Sequence, residues 1–225
     1  MPKLIIALPK GRILEETIPF FNAVGIKPED AFFDKNSRLL RFKTNLDDVE
    51  LIRVRSFDVA TFVAFGAAQI GVCGNDVLAE FDYPEIYAPI DLGIGKCRMS
   101  AAAPAGYTED NLARAGHVRV ATKYPNITKK YYQSKGIQAE CVKLSGAMEL
   151  APTIGLCHRI VDVVSSGATL KANGLVEIDH ILDVSARLIV NRTAFKTRTG
   201  ELTGWLDKFK GALDDFNALY SRFGF

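Results

Sequence analysis

The chain has 225 residues, a formal net charge of +2, 48% hydrophobic and 24% charged residues, the balance of an ordinary globular protein. Its cations form no concentrated basic face with interleaved aromatics, which argues against nucleic acid, and no apolar run approaches the roughly 20 residues of a membrane helix. Met1-Pro-Lys runs straight into an apolar strand without a cleavage pattern, so the expected location is cytoplasmic, with no membrane.

An apolar run over residues 3–8 predicts a first strand. A helix follows from Arg12 to about Val24, with Ile13, Ile18, Phe21 and Val24 on one side. Residues 39–42 and 51–54 read as strands, 59–65 as a helix, 70–73 as a short strand and 76–81 as a helix. Residues 84–89 and 99–103 read as extended, 118–121 as a strand and 126–135 as a helix with Asn126 at its N-cap. Then come a strand at 139–144, a helix at 148–156 and strands at 160–164 and 188–190. This alternation predicts an α/β fold of mixed, mostly parallel sheets flanked by helices. Any two lobes would be joined by strands crossing near residues 91–96 and 181–183, with both termini in the first lobe. Leu202, Trp205, Leu206, Phe209, Leu213, Phe216, Tyr220 and Phe223 form the stripe of an amphipathic helix, facing its own core or a subunit contact.

The most informative stretch is Ile160-Val-Asp162-Val-Val-Ser165-Ser166-Gly167-Ala168-Thr169-Leu170. A buried strand carrying one acid runs into a turn of small hydroxyl residues around a glycine, then into a helix start. Successive N–H groups and hydroxyls in such a turn suit a phosphate. Asp162, at the strand's end, can accept hydrogen bonds from vicinal sugar hydroxyls, so the pair suits a 5-phosphoribosyl group. The alternative is a turn that only caps its helix. Lys10-Gly11-Arg12 follows the first strand, where open α/β sheets hold ligands, and favours polyphosphate or is a solvated basic turn. Arg38, Arg41 and Lys43, then Arg53 and Arg55, alternate along their strands, which gives an anion-binding face or a charged edge. Asp76 caps the next helix or binds ribose; Glu149, with Asp162, holds magnesium or ribose hydroxyls, or merely favours a helix dipole. Cys73, Cys97, Cys141 and Cys157 have no metal-ligand spacing and are expected to be reduced packing residues, and the histidines form no ligand pattern.

These segments, in this order, resemble the ATP phosphoribosyltransferase family, the first enzyme of histidine biosynthesis. The most specific match is Glu149-Leu-Ala-Pro-Thr-Ile-Gly155 running on to Ile160-Val-Asp162 and Ser165-Ser-Gly-Ala-Thr-Leu170. Residues 7–14, 66–78 and 119–126 are similar to its other blocks, while Cys157-His158-Arg159 and Asn75 depart from its pattern, the latter standing where lysine is expected. The resemblance is to the short, catalytic-only form and implies a regulatory partner resembling histidyl-tRNA synthetase, in a hetero-oligomer containing a homodimer. It implies two lobes like a type II periplasmic binding protein, residues 1–92 with 182–225 and residues 93–181, with the active site in the interlobe cleft. The implied reaction joins ATP to phosphoribosyl pyrophosphate with magnesium. Ser165, Ser166, Gly167, Ala168, Thr169 and Leu170 would then hold the 5-phosphate; Asp162 and Glu149 would take ribose hydroxyls or the ion. Lys10, Arg12 and Arg38 are the expected catalytic cations, and Lys10, Gly11, Arg12, Arg38, Arg55 and Asp76 the expected ATP contacts. Two other readings are a non-catalytic two-lobed solute-binding module for an anionic ligand, and an interaction subunit using the C-terminal helix.

Overall fold

The computed structural model describes residues 2–34, 36–106 and 116–223, with side chains described to residue 218. The chain divides into two compact units, Met1–Leu78 with Asp82–Gly95 and Ser185–Phe225, and Ala79–Phe81 with Lys96–Val184.

The first unit holds a six-stranded sheet made of β1 (Leu4–Pro9), β2 (Arg41–Lys43), β3 (Val49–Val54), β4 (Ile70–Gly74), β5 (Ile86–Asp91) and β11 (Ala186–Asn191), in the order β2-β3-β1-β4-β11-β5. β1 lies parallel to both β3 and β4. A strand flanked in this way and covered on both faces needs a continuous apolar run, and Leu4, Ile6, Ala7 and Leu8 are all buried. Helices α1 (Arg12–Ala23), α2 (Ser56–Ala64), α7 (Arg192–Thr197) and α8 (Thr199–Phe223) cover the sheet, and α3 (Asn75–Phe81) follows β4. The C-terminal stripe packs on its own core: Leu202, Trp205, Leu206 and Phe209 are buried, and Phe209 and Phe216 meet Phe21 and Phe20 with ring centroids 5.3 and 4.6 Å apart. The Tyr220 and Phe223 side chains lie outside the described residues. Gly71 lets α2 approach β4 closely, since a β-carbon there would lie 2.8 Å from Val63 Cγ2 and 2.9 Å from Val59 Cγ1.

The second unit holds a five-stranded sheet of β6 (Cys97–Pro104), β7 (His117–Thr122), β8 (Gln138–Lys143), β9 (Arg159–Val164) and β10 (Leu175–Val184), ordered β10-β6-β9-β7-β8. Helices α4 (Pro125–Ser134), α5 (Leu150–Thr153) and α6 (Ala168–Ala172) accompany it. Ala102, Ala121, Met148, Ile160, Leu170 and Leu175 belong to its core. Both sheets are mixed, as expected, but among the described residues five pairings are antiparallel and four parallel. The expected parallel majority is absent because β11 inserts antiparallel between β4 and β5, and β10 and β6 pair antiparallel along most of their length.

The units part after Gly95 and after Val184, close to the expected crossings at 91–96 and 181–183, though the ten-residue strand β10 that ends there was not predicted over its length. One local expectation is corrected. The helix expected over 148–156 shortens to Leu150–Thr153, because Pro152 has no N–H to donate and Gly155 turns the chain at φ 76°.

Candidate functional site

β9 delivers Asp162 beside Ser100 of β6, its antiparallel partner in register. The chain then turns through Ser165 and Ser166 to Gly167, which adopts φ 77° and ψ 0° at the N-cap of α6. That left-handed conformation is costly for residues with a β-carbon, and a turn built around it can direct successive N–H groups to one side. Ser166 Oγ accepts the Ala168 N–H at 3.3 Å. Among the described residues the N–H groups of Ser166, Gly167 and Thr169 have no protein acceptor. The helix that follows has only five residues, so these N–H groups, rather than a long helix dipole, are its resource for an anion.

Glu149, Asp162, Ser165, Ser166, Gly167, Thr169 and Leu170 all line one concavity of about 200 Å³, with Ser100 and Ala102 on its wall. Of the residues expected at the phosphate, Ala168 alone is off that wall. Glu149 sits at the N-cap position of α5 but makes no capping side-chain bond, so its half-buried carboxylate is not occupied as a cap. Asp162 is half-buried and accepts the Val163 N–H at 2.8 Å. No histidine or cysteine lines the concavity.

Of the expected cations of the first unit, Lys10, Arg12, Arg38 and Arg55, Lys10 alone lines the concavity beside Gly11, which measures about 400 Å³ and has Phe32, Phe33, Ser37 and Arg53 among its walls. Arg12 points elsewhere: its Nη2 donates to the Gly95 carbonyl at 3.2 Å and its Nε lies 3.6 Å from Glu16, which itself accepts the Gly95 N–H at 2.6 Å. Arg38 and Arg55 are exposed and lie off the Lys10 wall. The expectation that Arg53 and Arg55 face one way is corrected. β3 ends at Val54, Arg55 occupies the N-cap position of α2, and the alternation stops there. Arg53 is buried, donates from Nη1 to the Phe32 carbonyl at 2.6 Å, and stacks 4.9 Å from the Phe42 ring centroid.

Two capping expectations also change. Asp76 is buried in the first turn of α3, whose N-cap is Gly74 without a side-chain cap. Burial and the Asp76 charge push the Cys73 thiol well above its usual range, consistent with an inert packing cysteine. Asn126 is not the N-cap of α4. Tyr124 takes that position, and Glu80 accepts the N–H groups of Asn126 and Ile127 at 3.0 and 3.1 Å, filling the anion seat from within the protein. Asn75, the residue at the expected lysine position, exchanges hydrogen bonds of 3.0 Å with the Ser185 backbone through both its N–H and its Oδ1.

Three residues beside the turn escaped sequence reasoning: Arg98, Ser100 and Glu177. Arg98 donates to the Ser165 carbonyl at 3.0 Å and forms two 2.7 Å bonds to the Glu177 carboxylate. Ser100 donates to the same carboxylate at 2.9 Å, and these bonds hold Glu177 below the usual carboxylate range, the Arg98 bond foremost. The period-two alternation of Arg98 and Ser100 was the available signal, but β10, which carries Glu177, was not predicted.

Among the described residues, no three His, Cys, Asp or Glu converge as a metal-holding group, and no helix is long and apolar enough to cross a membrane. The family model described as HisG, ATP phosphoribosyltransferase, matches residues 55–211. A curated ATP phosphoribosyltransferase of Rhodospirillum rubrum is 63% identical over 213 residues, 94% of each chain. Another, of Paramagnetospirillum magneticum, is 64% identical over 211 residues, 93% of this chain and 96% of that relative. Among solved structures, the ATP phosphoribosyl transferase (HisG:HisZ) complex from Thermotoga maritima matches with TM-score 0.80 at 32% identity, over 94% of this chain and 99% of that chain. Likeness of this degree, sustained through the acid-and-glycine turn and along nearly the whole sequence, makes the chain a member of the ATP phosphoribosyltransferase family.

Proposed function

We propose that the chain joins N1 of the adenine of ATP to C1 of phosphoribosyl pyrophosphate, releasing pyrophosphate and forming N1-(5-phosphoribosyl)-ATP, the first step of histidine biosynthesis. The observation that supports this reading best is the joining of an acid, Asp162, to N–H groups of Ser166, Gly167 and Thr169 that find no protein acceptor among the described residues, around one concavity. The N–H groups and the Ser166 and Thr169 hydroxyls hold the 5-phosphate. Asp162 and Glu149 accept ribose hydroxyls.

The adenine N1 lone pair is free at neutral pH, so attack needs no strong base, in keeping with a concavity that has no histidine or cysteine. The barrier is lowered by positioning and by stabilising charge. As the bond from C1 to oxygen breaks, the ribose gains oxocarbenium character and the pyrophosphate gains charge. Lys10, Arg12, Arg38 and Arg55 are assigned to the triphosphate and pyrophosphate, and Asp76 to the nucleotide. Magnesium fits this donor set as an ion carried on substrate phosphates, with Asp162 or Glu149 as its protein carboxylate. Bound there, it would neutralise leaving-group charge.

The Thermotoga maritima structure is a complex of HisG and HisZ, and we assign this chain a regulatory partner of that kind, resembling histidyl-tRNA synthetase. A homodimer within that hetero-oligomer and a cytoplasmic location complete the reading. The test mixes ATP, phosphoribosyl pyrophosphate and magnesium with the full chain, alone and with that partner, and follows a new near-ultraviolet absorbing product. Binding of phosphoribosyl pyrophosphate without product in either case would favour the solute-binding module instead.

A further inference from the structure

Arg98 does not line the concavity, yet it is bonded to the turn that does. It sits on β6 opposite Val164, the last residue of β9, so its side chain starts level with the beginning of the turn. Its Nη1 donates to the Ser165 carbonyl at 3.0 Å, while Nε and Nη2 grip the two oxygens of Glu177 at 2.7 Å each. Ser100, which lines the concavity, adds a 2.9 Å bond to the same acid. A bulge in β10 between Glu177 and Asp179 interrupts the ladder beside that acid, the usual way a strand re-aims a side chain.

A trans peptide is planar, with its C=O and N–H pointing in opposite directions. A guanidinium that draws the Ser165 carbonyl to one side therefore sends the Ser166 N–H to the other. We infer that Arg98, locked by Glu177, is a positioning residue that aims the Ser166 N–H into the phosphate cradle and keeps the Ser165 carbonyl out of it. Without Arg98 that peptide loses the bond that fixes the Ser165 carbonyl, and the opposite orientation would present a carbonyl oxygen to a phosphate. The guanidinium is neutralised by Glu177, so it acts through the peptide and not as a direct phosphate ligand. This inference rests on the reading of the turn as the phosphoribosyl site.

The test is steady-state kinetics and calorimetry with phosphoribosyl pyrophosphate and magnesium on the full chain with its regulatory partner. Arg98→Ala is expected to raise KM and Kd for phosphoribosyl pyrophosphate about tenfold, the loss of one charge-assisted hydrogen bond, with KM for ATP and saturating kcat unchanged. Arg98→Lys should fall between, since an ammonium reaches the carbonyl or the acid but cannot reproduce the fork. Glu177→Gln should shift the same constant in the same direction, and these two variants carry the test if Arg98→Ala does not fold. Equal rises for both substrates, or no rise in a folded Arg98→Ala protein, would overturn it. Thr169→Val removes a cradle hydroxyl directly. If it weakens phosphoribosyl pyrophosphate binding while the Arg98 variants do not, only this inference fails; if none of them does, the reading of the turn fails as well.

Discussion

Replacing Gly167 separates a phosphate cradle from a helix cap. Gly167 sits at φ 77°, and a β-carbon added there would meet nothing closer than Val164 Cγ1 at 3.9 Å. The protein itself therefore has room for the new atom, and the cost is conformational. A left-handed residue with a β-carbon costs roughly 1–2 kcal/mol, offset by about 0.4–1 kcal/mol from the stiffer unfolded chain. Gly167→Ala should thus lose about 1 kcal/mol, or about 2–4 °C of Tm for a chain of this size, and the β-branched Gly167→Val more. Binding should suffer far more than stability. A phosphate held off one N–H by the added group forfeits a charge-assisted hydrogen bond of about 1.5–3 kcal/mol, which is roughly a 10- to 150-fold rise in Kd. Scanning fluorimetry measures the first quantity and calorimetry with phosphoribosyl pyrophosphate and magnesium the second. A Gly167→Val protein with lowered Tm and wild-type affinity would refute the cradle and leave the turn a cap.

Arg12→Ala should lower turnover about 10²–10³-fold, the usual cost of losing one transition-state charge contact. Its stability should fall by only about 1 kcal/mol, because the half-exposed side chain loses a 3.2 Å bond to Gly95 and a loose pair with Glu16. Wild-type turnover would remove Arg12 from the chemistry and leave it a strut for Gly95. Asp179 supplies a pH test: bonds from Lys135 and Tyr131 hold its carboxylate below the usual range, while Tyr131, pushed up to about 12 chiefly by burial, stays protonated in acid. A depressed folded value adds stability above the ordinary carboxylate pKa of about 4, and that stability is lost as pH falls through the folded value. Asp179→Asn should therefore flatten the fall of Tm as pH drops below about 4, and parallel curves for the two proteins would contradict the pairing.

What the sequence made legible follows from how each element is buried. β1 and β4 show as continuous apolar runs because neighbouring strands and helices cover them, and β9 as an apolar run broken by Asp162. α8 shows as a stripe because one face packs on the first unit's core. β10 is an edge strand whose ten residues, LVEIDHILDV, mix buried ends with exposed charges, so no simple period marks it. Missing it concealed Glu177 and Asp179, the partners of Arg98 and of the Tyr131–Lys135 pair.

The same distinction runs through the candidate site. The shared concavity of the turn was readable because Asp162 through Leu170 are contiguous, and a turn's shape depends on a few adjacent dihedrals and small side chains. Its support was not, because Arg98 and Glu177 lie 79 residues apart and meet only through the antiparallel pairing of β6 with β10. Glu80 and Asn126, 46 residues apart, repeat the case: Asn126 looks like a cap in sequence, but a distant acid already satisfies the helix N-terminus. A short local motif can thus specify which atoms a turn presents, while the contacts that hold the turn in place come from strand register. Where the reaction is read as one of positioned N–H groups more than of a strong acid or base, steadiness of this kind serves substrate binding, and a residue such as Arg98 can support that binding without lining the concavity.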